Sequence, residues 1–359
     1  MSILNPFERR SSITPNNYYP FMVQNGSIVP NSLVDATEAL KNSDLYAVTS
    51  LISSDIAGTR FTGNQVFTSV LNNPSHLTNA FSFWQTAILN LLLNGNVFLA
   101  ILKGDNSLMK ELRLIPSNAI TIDLTDNTLT YEVNQFDDYP SAKYNASEMI
   151  HVKIMAYGVD TLHNLVGHSP LESLTSEIGQ QKEANRLSLS TLKGALNPTS
   201  VVKVPQGTLS SEAKESIRKE FEKANGGNNS GRVMVLDQSA DFSTVSINAD
   251  VANYLNSMNW GRTQIAKAFG VSDSYLNGTG DQQSSLDQIK DLYVNALNRF
   301  IEPLISELRI KCDSSIGVDM SPITDYSNSV FKADILNWVK EGIIEPTEAK
   351  TLLESKGII

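Results

Sequence analysis

Histidine is the residue type in this chain best suited to metal binding or proton transfer, and there are four: His76, His151, His163 and His168. His163 and His168 are five residues apart, whereas side chains on one face of a helix are three or four apart. A zinc site also needs further matched ligands and a supporting second shell. We therefore interpret this pair as structural. His151 lies in a strand pattern and is predicted to be a hydrogen-bonded sheet residue.

Four aspartates could be read as a carboxylate cluster: Asp123, Asp126, Asp137 and Asp138. Their positions at strand ends and in turns fit solvated turn chemistry better. Gly278 and Gly280 superficially suggest a phosphate loop, but no strand precedes them and no lysine follows at the helix start. The sequence also lacks the P-loop, nucleophile-elbow and zinc-protease motifs. We therefore expect a protein that is not an enzyme and holds no cofactor or metal.

Length and composition limit the possible classes of protein. A chain of 359 residues with 41% hydrophobic content is long enough for two or three domains with buried cores. Its net charge of −10 weighs against tight sequence-independent DNA binding, which needs Lys and Arg.

The single cysteine, Cys312, permits no intrachain disulfide, so we expect a reducing, intracellular setting. The N-terminus lacks the apolar core of a signal peptide, and the apolar stretch 87–102 predicts a buried helix and strand, not a membrane span.

The secondary structure that would position any site is predicted from the hydrophobic pattern. Residues 1–40 show no sustained hydrophobic period, so we predict an arm that is ordered only against a neighbouring molecule, or not ordered at all. Apolar periodicity then predicts helices at 44–56 and 81–93. Asp126 and Asn127 predict a turn between two strands. The predicted strands are 97–102, 112–115, 120–124, 129–133 and 149–154.

Two long helices enclose a small insert of about residues 198–249 in the second half of the chain. Strands at 201–204, 232–236 and 242–246 and a helix at 210–224 are predicted in this insert. The first opens at Ser169 and Pro170 with a capping box and ends at 197–198. The second runs over 250–270 and ends at Gly270. A polar segment follows, and a third helix starts at Ser284 or Ser285, with a kink expected near Ile301 because of Pro303. Two further helices are predicted at 331–340 and from Pro346 to near Gly357. This order suggests one spoke of a larger assembly.

Several local patterns occur in an order that resembles one family: 44–48, 71–74, 95–98, 149–152, 167–171, 197–198, 231–236 and 265–271. Together they cover about residues 44–312. In this order the chain resembles portal proteins of tailed double-stranded DNA phages, of the type common in long-tailed phages and prophages. Ser272 departs from the family pattern, which often has proline there. The arm at 1–40 does not match clearly.

The resemblance implies an α+β portal fold with a helical C-terminus and the following segments: an N-terminal arm (1–40), an α+β wing (41–168), stem helix 1 (169–197), a small α/β clip (198–249), stem helix 2 (250–272), a tunnel loop (273–285), a kinked wing helix with its return (286–325) and a crown (326–359). It also implies a ring of about twelve copies around a channel. Such a ring would carry DNA in packaging and ejection at one capsid vertex.

Site residues and partners follow from the same resemblance. The tunnel loop facing DNA would comprise Asn277, Gly278, Thr279, Gly280, Asp281, Gln282, Gln283 and Ser284. Lys267 and Lys290 would be lumen contacts. The clip would dock the motor and later adaptors through Lys214, Arg218, Lys219 and Glu222. Implied partners are other copies of the chain, the terminase large subunit, head-completion proteins, capsid and scaffold proteins and non-specific double-stranded DNA, with no membrane. The setting would be the virion, and the host cytoplasm during assembly.

Two alternatives stay open at this point. One is another ring-forming adaptor of the head–tail junction, although such proteins are usually shorter and lack the order helix, insert, helix. The other is a cytosolic enzyme with a helical insertion. An enzyme should show a pocket with convergent polar groups and a perturbed titrating residue, and the sequence offers no candidate for either.

Overall fold

The structure is a computed structural model. It describes residues 10–13, 21–24, 27–30, 39–196 (apart from 106, 137–138, 159 and 162), 200–203, 210–212, 215–216, 219, 241–244, 261–272 and 286–359. The chain forms two compact units. The first combines Met1–Ser176 with Arg262–Ile359, and the second is Glu177–Gly261. The second unit is thus an insertion in the first, and residues 169–176 and 262–272 belong to the first unit.

The first unit contains two larger antiparallel sheets. Its strands are β1 (Arg10–Ile13), β2 (Phe21–Gln24), β3 (Ser27–Pro30), β4 (Arg60–Thr62), β5 (Asn96–Lys103), β6 (Met109–Ile115), β7 (Ile120–Thr125), β8 (Thr128–Val133), β9 (Ala142–Asn145) and β10 (Met149–Lys153). One sheet has the order β10-β5-β6 and the other β1-β7-β8-β9, while β2 and β3 pair with each other. The turn between β7 and β8 has positive φ at Asp126 and Asn127, which confirms the predicted turn.

One buried core cluster lies where strands of the two larger sheets meet. Phe98 and Ala100 of β5 pack in one buried cluster with Ile120 and Ile122 of β7 and Tyr131 of β8. Every residue of β5 from 96 to 101 is buried. Because successive side chains of a strand point to opposite faces, β5 is covered on both sides. All five strands predicted between 97 and 154 are present, each within a few residues of its predicted bounds.

Three helices accompany these sheets: α1 (Ser43–Ala57), α2 (Gln65–Leu71) and α3 (Ala80–Asn94). The Asn42 side chain caps α1 by accepting hydrogen bonds from the Asp44 and Leu45 amides at 3.0 and 3.2 Å. α3 ends at Gly95, whose φ of 72° is left-handed, as helix C-termini favour. The predicted helices at 44–56 and 81–93 are thus confirmed, and α2 was not predicted.

The remaining helices are α4 (Thr175–Leu196), α5 (261–269), α6 (Leu286–Lys311), α7 (Ser321–Thr324), α8 (Ser329–Lys340) and α9 (Pro346–Ser355). Ser169 caps as predicted, with Glu172 completing the capping box, but residues Pro170–Leu174 form a 3-10 helix before α4 begins. α6 continues through Pro303 without interruption, so the kink stays a prediction. No helix in the described part of the chain is long and apolar enough to cross a membrane.

Three further strands complete the described residues. β11 (Ser200–Lys203) pairs antiparallel with β12 (Asp241–Thr244), which confirms two of the predicted strands of the insert. β13 (Gly317–Asp319) pairs with β4, and neither strand was predicted. Residues 211–212, 215–216 and 219 are helical, within the predicted helix of the insert. The predicted strand at 232–236 lies outside the described residues.

Two predictions are wrong. Residues 10–13 of the predicted arm are ordered within their own chain, since β1 pairs with β7 from Arg10 opposite Thr125 to Ile13 opposite Ile122. Asp123 is not a solvated turn residue, because it lies inside β7 with 1% of its surface exposed. The Thr125 hydroxyl lies 3.1 Å from its carboxylate. Both differences have one cause, which is that β1 pairs with β7 although the two strands are far apart in the sequence. A local sequence pattern cannot predict such a pairing.

Candidate functional site

Most of the predicted site residues lie outside the described parts of the chain. This holds for the whole predicted tunnel loop from Asn277 to Ser284, for Lys214, Arg218 and Glu222, and for the side chain of Lys290. Lys219 is described, and its ammonium lies 4.0 Å from Glu215 on an exposed helical turn. Lys267 is exposed on α5. The described geometry of the site is therefore that of the two helices on either side of 273–285.

The helix that precedes this segment ends in a closed C-terminal turn. The Val271 amide donates to the Ala266 carbonyl at 2.9 Å and the Gly270 amide donates to the Lys267 carbonyl at 3.0 Å. This is the Schellman pattern, and Gly270 has the left-handed φ of 74° that it requires. Val271 and Ala266 are both buried, as the pattern favours. The chain therefore enters the segment from a fixed direction.

The helix that follows the segment is tied to α1. Tyr293 of α6 is 2% exposed, and its hydroxyl donates to the Asp55 carboxylate at 2.5 Å. Burial raises the pKa of Asp55, and the hydrogen bond from Tyr293 opposes that rise. At the other end of α1, the Arg262 guanidinium of α5 donates to Asp44 at 3.1 Å. Both helices that flank 273–285 thus contact the same helix.

A direct contact also joins the two flanking helices. A β-carbon at Gly270 would lie 2.7 Å from Nη1 of Arg299 and 3.6 Å from the Ala296 side chain. The guanidinium of α6 therefore occupies the space that a side chain at Gly270 would need. Its charge also lies next to the C-terminus of α5, where a cation is favourable. Sequence reasoning identified Gly270 as a helix end but gave no signal for Arg299, Tyr293 or Asp55 as its surroundings.

A second set of hydrogen bonds fixes the start of the helical segment 169–196. The Asn96 side chain makes two hydrogen bonds of 2.8 Å to the backbone of Gly167, one to its carbonyl and one from its amide. The Ser169 hydroxyl donates to the Leu92 carbonyl at 2.7 Å. A β-carbon at Gly167 would overlap the backbone of Ile154. We name Asn96, Gly167 and Ser169 the junction, since they tie the end of α3, the start of β5 and the root of the long helix together.

His151 is part of the same buried network. It is 2% exposed and stacks on Phe98 with ring centroids 4.2 Å apart. Its Nε2 lies 3.2 Å from Asn96 Oδ1 and its Nδ1 lies 3.2 Å from the Tyr131 hydroxyl. Burial, with smaller contributions from Lys153 and Lys311, lowers the pKa of His151 well below its ordinary value. A neutral ring that donates from Nε2 satisfies both contacts, and the prediction of a hydrogen-bonded sheet histidine is confirmed.

The other histidines are separate from one another. His163 pairs with Asp160 at 2.8 Å, and His168 pairs with Glu172 at 2.9 Å. His76 lies 2.8 Å from Glu111. Within the ranges that the structure covers, no group of three or more His, Cys, Asp or Glu side chains could hold a metal ion. His163 and His168 each contact an acidic side chain three or four residues away along the chain.

Comparison with known proteins adds relatives in sequence. An uncharacterized protein of Rickettsia bellii is 27% identical over 232 residues, which are 62% of this chain and 58% of that protein. A "Probable portal protein" of Streptomyces phage phiC31 is 27% identical over 205 residues, or 55% of this chain and 44% of that protein. The chain thus matches less than two thirds of the length of these two relatives.

Solved structures share the fold at low sequence identity. A chain from the neck of an empty gene transfer agent (GTA) particle has a TM-score of 0.63 at 18% identity, covering 89% of this chain and 94% of that one. The crystal structure of an HK97 family phage portal protein from Corynebacterium diphtheriae has a TM-score of 0.60 at 15% identity, covering 82% and 97%. The mixed helix and strand fold of this chain is therefore the portal fold.

The match to a family extends over most of the chain. A family model described as "Phage portal protein" matches residues 43–348. That range includes both larger sheets apart from β1, the junction and the two helices that flank 273–285. Portal proteins are structural head–tail connectors of phages. The chain belongs to the phage portal protein family.

Proposed function

We propose that this chain assembles into a closed ring of about twelve copies, through which double-stranded DNA enters and leaves a capsid. The observation that carries the proposal is the family match over residues 43–348. A similar chain also comes from the neck of a native GTA particle, which was computed with C12 symmetry and supports the ring size. A ring needs two different surfaces on each subunit that fit each other head to tail.

The geometry supports a conduit with rigid walls. The junction holds the root of the long helix through directional hydrogen bonds, and the Schellman turn at Gly270 sets where the chain enters 273–285. The residues from Asn277 to Ser284 are polar and include one carboxylate but no Lys or Arg. They can therefore contact DNA weakly without forming ion pairs with its phosphates. The net charge of −10 per chain repels phosphate, which would keep DNA from stalling.

The partners follow from this role. The insert at 198–249, with Lys214, Arg218, Lys219 and Glu222, would dock the terminase large subunit during packaging and head-completion proteins afterwards. Lys267 and Lys290 would touch DNA in the lumen. Capsid and scaffold proteins would surround the ring. The subunit would have no enzymatic activity, ATP hydrolysis would belong to the terminase, and the ring would pass from the host cytoplasm to the portal vertex of the virion.

The oligomeric state is the first test. Twelve chains of 39.4 kDa would weigh roughly 470 kDa. Size-exclusion chromatography with light scattering, over a range of protein and salt concentrations, should show a species of ten or more subunits. Electron-microscopy top views should then give the symmetry. A monomer or dimer under every condition would overturn the proposal.

The DNA-facing role of the loop has its own test. Deletion of Asn277–Ser284 should leave the ring intact and impair packaging or retention of DNA. The matched control replaces the same eight residues with glycine and serine, which keeps the length of the connection. If the deleted chain failed to fold, or if it packaged DNA normally, the assignment of this segment would be wrong.

A further inference from the structure

One helix is tied to both flanks of the segment 273–285. α1 binds Arg262 of α5 through Asp44 and binds Tyr293 of α6 through Asp55. These two carboxylates are eleven residues apart on α1, which is about 16 Å along a helix axis. The two ties are therefore well separated, and each holds a different helix.

We infer that α1 positions the DNA-facing segment by fixing the helices α5 and α6 relative to each other, with Asp44, Arg262, Asp55 and Tyr293 as positioning residues. This inference rests on the proposed function, because it takes 273–285 as the part that faces DNA. The four residues themselves need not touch DNA. They act through the two helices from which the segment begins and ends.

The hydrogen bonds to Asp44 and Asp55 fix the orientation of α5 and α6 more strictly than apolar packing alone would. The burial of apolar surface is non-directional, so by itself it sets the relative orientation of two helices less strictly than a hydrogen bond does. A hydrogen bond weakens steeply when its angle departs from linearity, so it fixes orientation as well as distance. Tyr293 is 2% exposed and its hydroxyl meets a carboxylate whose pKa burial raises, so water competes poorly for this bond.

The third contact closes a triangle of helices. Arg299 of α6 fills the space beside Gly270 at the end of α5, while α1 holds the two helices from one side. Ala266 and Phe269 of α5 and Leu297 of α6 are buried. With three contacts, neither flanking helix can shift along its axis without breaking at least one. The described parts of α5 and α6 are consequently held at a set separation.

The test compares three variants of the full chain with the wild type. Tyr293→Phe with Arg262→Gln removes both ties to α1. Asp55→Asn removes the charge but keeps an oxygen that accepts from the Tyr293 hydroxyl, so it serves as the conservative variant. Lys356→Gln removes an ion pair of 2.7 Å to Asp319, far along the chain from these helices, and serves as the matched control.

The distance between the helices is the primary readout. Spin labels at Lys267→Cys and Asn298→Cys, both exposed positions, in a Cys312→Ala background would report it by pulsed electron spin resonance, with unlabelled chain in excess. We expect one narrow distance for the wild type, Asp55→Asn and Lys356→Gln, and a broad distribution for the double variant. DNA retention, measured with unlabelled chains, should be lost only in the double variant while the ring still forms.

Two results would overturn the inference. One is an unchanged distance distribution in the double variant. The other is equal broadening in Lys356→Gln, which would indicate general loosening instead of positioning. If the wild-type chain formed no ring or retained no DNA, the proposed function would fail, but the distance comparison would still decide whether α1 fixes α5 and α6.

Discussion

Two helical regions of the same unit differ in how they use their apolar residues. α3 buries eight of its fifteen residues. In α8 the buried residue is Ile335, and in α9 the buried apolar residue is Ala349. Val330 and Leu336 of α8 are 57% and 61% exposed. Helical periodicity is present in all three, so the difference lies in what covers each helix and not in helix formation.

The C-terminal pair is held to its unit by polar contacts as well. Lys356 lies 2.7 Å from Asp319, and its ammonium is 5.7 Å from the centre of the Phe331 ring. The Asp325 carboxylate accepts from the Phe331 amide at 2.8 Å, and its hydrogen bonds to backbone amides lower its pKa. Burial thus dominates the stability of α3, whereas exposed hydrogen bonds and ion pairs contribute relatively more at the C-terminus. The following predictions test that contrast.

The largest difference is expected between matched leucines. Leu92→Ala in α3 removes a side chain that is 0% exposed and should lower the free energy of unfolding by about 2–5 kcal/mol. Leu336→Ala in α8, at 61% exposure, should change it by less than about 0.5 kcal/mol. Urea denaturation of both variants measures the two values. Similar losses would show that α8 is covered as well as α3.

Two glycines provide the next comparison. A β-carbon at Gly167 would lie 2.7 Å from the Ile154 carbonyl oxygen, so Gly167→Ala must displace backbone at the junction and should destabilise by about 2 kcal/mol or more. Gly342, between α8 and α9, has open space and a φ of 70°. Gly342→Ala should cost only about 1 kcal/mol, from backbone strain. Gly342→Asn should recover part of it, since asparagine tolerates this conformation, and thermal melts would rank the three variants.

The pH dependence of stability should come from the buried region. The pKa of His151 is lowered in the folded chain, so the unfolded chain binds more protons below its own histidine pKa of about 6.5. Stability is therefore unaffected by this group above about pH 6.5 and falls as the pH is lowered below it, by at most about 1.4 kcal/mol per pH unit. Lys153 and Lys311 act in the same direction.

Denaturation midpoints at pH 7.5 and 5.5 would measure this effect. His151→Gln should show a smaller decrease between the two pH values, although its stability at pH 7.5 is lower. His163→Asn, which changes an exposed histidine, should keep the decrease of the wild type. An equal decrease in all three chains would show that other groups dominate.

The smallest effect is expected at an exposed ion pair of the C-terminal region. Lys350 and Glu354 lie 3.8 Å apart on α9, with side chains 70% and 54% exposed. Lys350→Gln should change the free energy of unfolding by less than about 0.5 kcal/mol, because water and salt screen such pairs. A loss above 1 kcal/mol in urea denaturation would mean that this face of α9 is covered in solution.

Local signals made much of the fold predictable. Capping residues such as Asn42 and Ser169 act within three residues of their position, and the turn at Asp126 and Asn127 needs only its own backbone. β4 and β13 were not predicted, because a three-residue strand has no measurable period and exists only through its distant partner. The burial of Asp123 was missed for the same reason, since β1 covers β7 from far along the chain.

The candidate site divides in the same way. Gly270 could be recognised because a helix period stops there, and its Schellman turn is local. Arg262 with Asp44, and Tyr293 with Asp55, are 218 and 238 residues apart. Contacts between residues so far apart in the sequence cannot be inferred from hydrophobic periodicity or from the spacing of motifs. The family resemblance identified which segment should face DNA but gave no information on what holds its two ends.

The insertion of 177–261 into the first unit affects how this chain is made. The Asn64 amide donates to the hydroxyl of Ser315, which lies 251 positions later in the chain, beside the pairing of β4 with β13. On the ribosome, β4 cannot pair until β13, which lies beyond the insertion, has been synthesised. The larger unit can therefore be completed only after residues 177–261 have been made.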